Sequence, residues 1–199
     1  MNKKNLLLPG IAFIVFIGIF IYIVSNNSED SGWIGGAVIE PGENYVVKEI
    51  DGETILENDN VGLSLKVPDG WNVEKKDVGI DEWIVNLLSP DVILNNSGML
   101  EEGCGVSVGV KHHESSAMSI IGIIENIESG EIENNGEYEI INISGHKALK
   151  LLLDSQDSSY PIIIEVAIND KVYMVDTLIL DSIDCLDSFN EILNSINID

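Results

Sequence analysis

His112-His113-Glu114 is the densest run of metal-capable side chains in the sequence, and imidazole nitrogen with carboxylate oxygen suits zinc or a similar divalent ion. On a strand, successive side chains point to opposite faces, so both rings reach one ion only where the chain turns. The competing assignment is a polar strand end leading into a helix capped at Ser115. His146, the remaining histidine, stands beside Gly145 in turn-forming sequence and reads the same way.

Cys104 and Cys185 are the only cysteines. In an oxidising compartment one disulfide between them closes a loop of about 80 residues, worth up to roughly 4 kcal/mol. The alternative is two small buried hydrophobes, because Cys185 falls beside the apolar stripe of the last helix. A nucleophilic role is disfavoured, since neither cysteine has a histidine or lysine beside it in sequence to hold a thiolate.

Other chemistry is thinly represented. There is no Gly-x-Ser-x-Gly elbow, no Ser-x-x-Lys and no glycine-rich phosphate loop ahead of a helix. Glu101-Glu102 and Asp154 with Asp157 have the makings of acid/base or calcium chemistry, yet among 34 acidic residues such pairs arise by chance. Asn58-Asp59-Asn60-Val61-Gly62 approaches a calcium loop but fails its spacing, and reads as a turn. Asn26, Asn95 and Asn142 open Asn-x-Ser sequons; those at 26 and 95 fall in loop-like sequence accessible to glycosylation, whereas Asn142 falls in a strand. Trp71 and Trp83 occupy strand positions that suit core or edge packing better than a binding surface. The expectation is a protein with no catalytic set and no cofactor.

Residues 6–24, LLLPGIAFIVFIGIFIYIV, carry no charge, and as a helix they reach about 28 Å, close to the hydrocarbon thickness of a bilayer. Pro9 falls in the first turn, where its missing N–H costs little. The run is longer than a secretory signal core, and the exit IYIVSNNSED lacks a small-x-small cleavage pattern. These features predict an uncleaved anchor. Lys3 and Lys4 precede it while Glu29 and Asp30 follow, which predicts a cytoplasmic N-terminus and an extracytoplasmic domain. Beyond Val24 lie all 34 acidic residues against eight lysines, and the chain has no arginine. Such a surface repels nucleic acid and anionic lipid. The acids are dispersed, which favours solubility over a cation store, and a basic partner is the sharper alternative.

The organisation expected is a cytoplasmic terminus 1–5, an anchor 6–24, a tether 25–44 that carries a short strand at most, and a folded domain 45–199. Asp51-Gly52 and Asn169-Asp170 suit the positive φ values of two-residue hairpins. Val61, Leu63, Leu65 and Val67 alternate up to the turn Pro68-Asp69-Gly70, and further strands are read at 83–88, 105–111, 138–143, 147–153, 162–168 and 172–180. Between Ser115 and Ser129 the period changes, with Ala117, Ile120, Ile121, Ile124 and Ile127 on one helical stripe that Gly130 ends. A last helix opens at Asp181, with Leu186, Phe189, Leu193 and Ile196 as its apolar face. The class expected is α+β: an antiparallel β-sheet flanked by helices, preceded by one transmembrane helix.

The stretch NVGLSLKVPDGWNVEK, with Val67, Pro68, Gly70 and Trp71 at its turn, together with the ending SFNEILNSINI, resembles the PsbP-like superfamily across roughly residues 58–198. That group includes extrinsic photosystem II proteins, Mog-type nucleotide-release factors and anchored or lipid-attached prokaryotic proteins. The resemblance implies an α/β/α sandwich that docks on a larger assembly without catalysis. It supplies no catalytic residue to carry over, and an anchor of its own sets this chain apart from the photosynthetic members. The function expected is therefore a membrane-anchored, extracytoplasmic accessory module with a protein partner in the cell envelope. A small-ligand or divalent-cation binding domain is the alternative.

Overall fold

The computed structural model describes residues 38–75, 85–94, 100–132, 138–153, 162–180 and 183–199. Strands dominate: β1 (Val38–Ile39), β2 (Val46–Ile50), β3 (Glu53–Asn58), β4 (Leu63–Val67), β5 (Asn72–Lys75), β6 (Val85–Leu88), β7 (Ile93–Leu94), β8 (Leu100–Glu102), β9 (Cys104–His112), β10 (Tyr138–Ile143), β11 (His146–Leu152), β12 (Ile162–Ile168), β13 (Lys171–Leu180) and β14 (Asn197–Ile198). Two α-helices are described, α1 (Glu114–Ser129) and α2 (Ile183–Ser195), with a 3-10 turn at Gly42–Asn44.

Three tight turns set the hairpins. Asp51 (φ 54°) and Gly52 (φ 85°) join β2 to β3, and Ser144 (φ 50°) and Gly145 (φ 83°) join β10 to β11. Two left-handed residues in succession are what a type I′ turn needs, and its twist matches that of the strands. Asn169, at φ 57°, opens the turn from β12 to β13. Helix α1 stops where Gly130 takes the left-handed conformation, φ 76°, and its N–H bonds back to the helix.

The eight-stranded main sheet runs β10-β11-β12-β13-β9-β6-β5, with β1 pairing β9 at Val38↔His112 and Ile39↔Lys111. All its pairings are antiparallel. Alternation along the strands divides its faces. Val106, Val108, Val110, Ile164, Val166, Tyr173 and Val175 point into the larger core, whereas Leu149, Val172 and Met174 point toward Ala117, Ile120 and Ile124 of α1. Helix α1 packs over β11, β12 and β13. Ile121, expected on its buried stripe, is 39% exposed.

The expected α/β/α sandwich is corrected here: the fold is mostly antiparallel β, and among the described residues α1 covers one face of the main sheet over β11, β12 and β13. The opposite face is shared between α2 and a second sheet of order β14-β4-β3-β2. Strand β4 pairs with β3 and with the C-terminal β14 (Asn197↔Ser64, Ile198↔Leu63), so this group forms a separate open sheet with β14 and β2 at its ends rather than extending the main sheet. Leu56, Leu63, Leu65 and Val67 thereby enter the larger core where a helical layer was expected. Gly62, at φ 68°, lets the last residue approach closely; a Cβ there would lie 2.8 Å from the Asp199 backbone oxygen.

The buried face of α2 is Cys185, Phe189, Ile192 and Leu193, while Leu186, expected among them, is 36% exposed. Trp71 packs partly buried against the larger core. The membrane helix in the expected architecture has no counterpart here: among the described residues no helix is long and apolar enough to cross a membrane. Residues 6–24, Trp83 and the sequon asparagines Asn26 and Asn95 lie outside the described residues. Described structure begins at Val38, within the stretch read as tether.

Candidate functional site

The period-two pattern sends His112 and His113 apart. His112 ends β9 and brings Nε2 to 3.2 Å from Glu40 Oε2, with Nδ1 3.9 Å from Asp170 Oδ2. His113 is the N-cap of α1; its Nδ1 lies 2.6 Å from Ser116 Oγ, and its backbone N–H donates to Asp170 O. Glu114 is the exposed first residue of α1. Among the described residues no three His, Cys, Asp or Glu side chains come together as a metal would require. His146 opens β11 instead, lining a groove of about 200 Å³ with Ile121, Ile124, Glu125, Glu128 and Lys147.

Around His112 the structure builds a satisfied carboxylate. Glu40 is 8% exposed, and its backbone N–H donates to Val110 O, extending the β1–β9 pairing. Its Oε1 accepts from Asn44 Nδ2 at 2.7 Å and Asn60 Nδ2 at 3.2 Å. Burial alone pushes this carboxyl up, but the bonds from Asn44, Asn60 and His112 outweigh it and hold Glu40 below the usual carboxylate range. The Asn58-to-Gly62 stretch, read as a turn, supplies one of these donors. Beneath lies Tyr45, fully buried, its hydroxyl raised by burial and by Glu40, while Tyr173 donates its hydroxyl to Val61 O at 2.7 Å.

The opposite arrangement occurs in the middle of the main sheet. Asp176 on β13 faces Ser107 on β9, which faces Asn86 on β6, so the three form a row across neighbouring strands. Their face is the one that carries Val172 and Met174 toward α1. Ser107 and Asp176 are 0% exposed and Asn86 is 6%. Ser107 Oγ donates to Asn86 Oδ1 at 2.8 Å, but neither Asp176 oxygen has a hydrogen-bonding partner among the described residues. Glu165, diagonal to Asp176 on β12, has Lys111 Nζ 3.9 Å away. Burial first, then Glu165, push the Asp176 carboxyl up to about 7, against the opposing pull of Lys111 and the Ile164 backbone. Burial also raises Glu165. Neither carboxyl stood out in the sequence reading. The available signal was an acid inside the alternating run Val172-Tyr173-Met174-Val175-Asp176, at a position sharing its face with apolar residues.

Cys104 and Cys185 are joined by a disulfide, with 5.4 Å between their Cα atoms. It links the start of β9 to α2, and both residues are buried. Asn142 lies in β10, where its Oδ1 accepts from the Gly145 N–H.

Strand β2 is the outer strand of the four-stranded sheet and has only β3 as partner among the described residues. All five of its residues are exposed, including Val46 at 47%, Val47 at 42% and Ile50 at 48%. Lys48 reaches back to Glu57, leaving the aliphatic side chains as the dominant feature of this edge.

No family model matches the chain, and no curated protein matches it. A crystal structure of a protein from Bacteroides thetaiotaomicron, at 1.50 Å resolution, aligns with a TM-score of 0.44 and 11% identity, covering 82% of this chain and 48% of that one.

Proposed function

We propose that residues 38–199 are a non-catalytic, extracytoplasmic binding module that accepts an extended segment of another cell-envelope protein along β2, with the apolar segment 6–24 keeping the protein at the membrane. The observation that carries this reading is the β2 edge: among the described residues a strand open along one side, with Val46, Val47 and Ile50 exposed. Open edges are usually blunted by charge, proline or a covering element, because their free N–H and C=O groups pair with any extended chain. Strand addition to such an edge takes affinity from main-chain bonds and specificity from alternate side chains.

The net charge of −24 favours a segment carrying lysine or arginine. The disulfide supports an oxidising location. The test is to isolate the full-length protein from its own membranes in mild detergent, then to repeat the isolation with Val47→Lys and Ile50→Lys, checking by circular dichroism that both fold. A stoichiometric envelope partner recovered with the native chain and lost with both variants supports the reading. A partner retained by the variants, or none recovered at all, overturns it.

A further inference from the structure

The hairpin that carries β2 fixes which of its main-chain groups face outward. The two-residue turn Asp51-Gly52 sets Ile50 opposite Glu53, and residues flanking such a turn exchange both of their backbone bonds. Pairs in an antiparallel ladder alternate, so Ile50, Lys48 and Val46 bond inward to β3, while Val47 and Glu49 turn their N–H and C=O groups to the open side. Tyr45, next in this outward series, already receives the Lys75 ammonium on its carbonyl oxygen. Among the described residues the unfilled length of edge is therefore bounded by Tyr45 at one end and the turn at the other, and Val47 and Glu49 each offer it one donor and one acceptor.

Side chains divide by the same alternation. Val46, Lys48 and Ile50 share one face with Ile55 and Glu57 of β3, whereas Val47 and Glu49 share the other with Thr54 and Leu56. Lys48 is engaged with Glu57 at 2.5 Å, so its charge is compensated within the hairpin. Thr54 Oγ1 donates to Glu49 Oε1 at 2.8 Å, a neutral donor that leaves the Glu49 charge in place. The edge thus presents Val46, Val47 and Ile50 as apolar contacts and Glu49 as its negative charge, in a fixed order. An antiparallel segment, the orientation of every pair in this sheet, meets these positions in reverse. Apolar residues belong opposite Ile50, Val47 and Val46, and a lysine or arginine belongs opposite Glu49. Opposite Lys48 a small uncharged residue fits, because a cation there would repel Lys48 and an acid would compete with Glu57.

We propose that β2 takes an antiparallel segment of pattern apolar–basic–small–apolar–apolar, read from its N-terminus, and bonds it through the residues opposite Val47 and Glu49. The inference rests on edge docking at β2 and adds the polarity, the register and the place of the basic residue.

The test is binding of a labelled peptide, Ile-Lys-Thr-Val-Val with Gly-Ser flanks, to full-length protein in mild detergent, followed by fluorescence anisotropy. Replacing the peptide's lysine by glutamate is expected to weaken binding about tenfold. Glu49→Lys is expected to abolish that preference, whereas Glu125→Lys, the same change in net charge on the exposed surface of α1, preserves it. N-methylation of the peptide's lysine, which pairs with Glu49, is expected to lower affinity about tenfold or more; N-methylation of its threonine, whose N–H points away from β2, lowers it by less than about twofold. Equal binding of the lysine and glutamate peptides, a preference untouched by Glu49→Lys, or equal sensitivity to the two N-methyl groups overturns the proposal. No peptide binding, with an envelope partner still recovered and lost in Val47→Lys and Ile50→Lys, overturns this pattern while edge docking stands. Peptide binding that survives both of those variants, or neither peptide nor partner bound, overturns the two together.

Discussion

Glu40 and Asp176 are both buried carboxyl groups on or beside the main sheet, and their surroundings drive them in opposite directions. Glu40 sits where the chain enters the sheet, with two asparagine amides and an imidazole turned toward it, and is held in its ionised form. Asp176 sits in the middle of the sheet, beside a second carboxyl, with only the Ile164 backbone and Lys111 acting against its burial, and is held toward its protonated form. Burial is common to both, so burial does not decide the outcome. The supply of N–H groups does. Glu40 reads as a pin that fixes β1 and the turns around it; Asp176 reads as a position incompletely served by its own described surroundings.

The contrast is sharpest in how stability follows pH. Asp176 has a folded value of about 7 against an ordinary 3.8. Because the folded form holds its proton more tightly, stability falls as pH rises through the interval from about 4 to 7. Asp176→Asn removes that loss and is expected to stabilise the protein at pH 8 by up to about 4 kcal/mol, measured by chemical denaturation, the equivalent of roughly three pKa units. A destabilised Asp176→Asn protein at pH 8 would mean that the carboxylate is satisfied and that the contrast with Glu40 is absent.

Glu40 carries the opposite sign. Its lowered value adds stability that is present above the ordinary carboxylate range and is lost as pH falls through the folded value. Glu40→Gln is expected to destabilise by about 2 kcal/mol at neutral pH, the loss appropriate to charge-assisted bonds, and the deficit should shrink on acidification. Denaturation curves at pH 7 and pH 4 would check both statements. Asn60→Ala, which removes one of the donors to Glu40, is expected to cost about 1 kcal/mol by the same measurement. An unchanged midpoint would reduce the pin to Asn44 and His112.

Much of the local structure was legible because it depends on neighbouring residues. Asp51-Gly52 and Asn169-Asp170 marked their hairpins through backbone conformations available to few residue types, and Gly130 marked the end of α1 in the same way. The divergence of His112 and His113 followed from strand geometry. The separation of β2, β3, β4 and β14 from the main sheet was not legible, because it depends on Ile198 finding Leu63 across the length of the domain. Nothing in the alternation of Leu63 and Leu65 says which sheet they join. Glu40 was hidden for the same reason: its stretch, rich in Gly, Pro and Asn, reads as tether, and its burial requires Asn60 and His112 from distant parts of the chain. Asp176 was the readable omission, since alternation alone places it on the face of Val172 and Met174.

The disulfide has a mechanical consequence for a protein pulled by its N-terminal end. Tension arriving at Val38 meets the short β1–β9 ladder first, and that ladder can part without straining any covalent bond. The covalent tie between Cys104 and Cys185 withholds the 81-residue separation between them from extension, roughly 280 Å of chain at full stretch. Force therefore spools out the first strands and stops short of β9 through β13, so a load-bearing version of this molecule would lengthen by a limited amount while the Asp176 strand remained inside a closed loop.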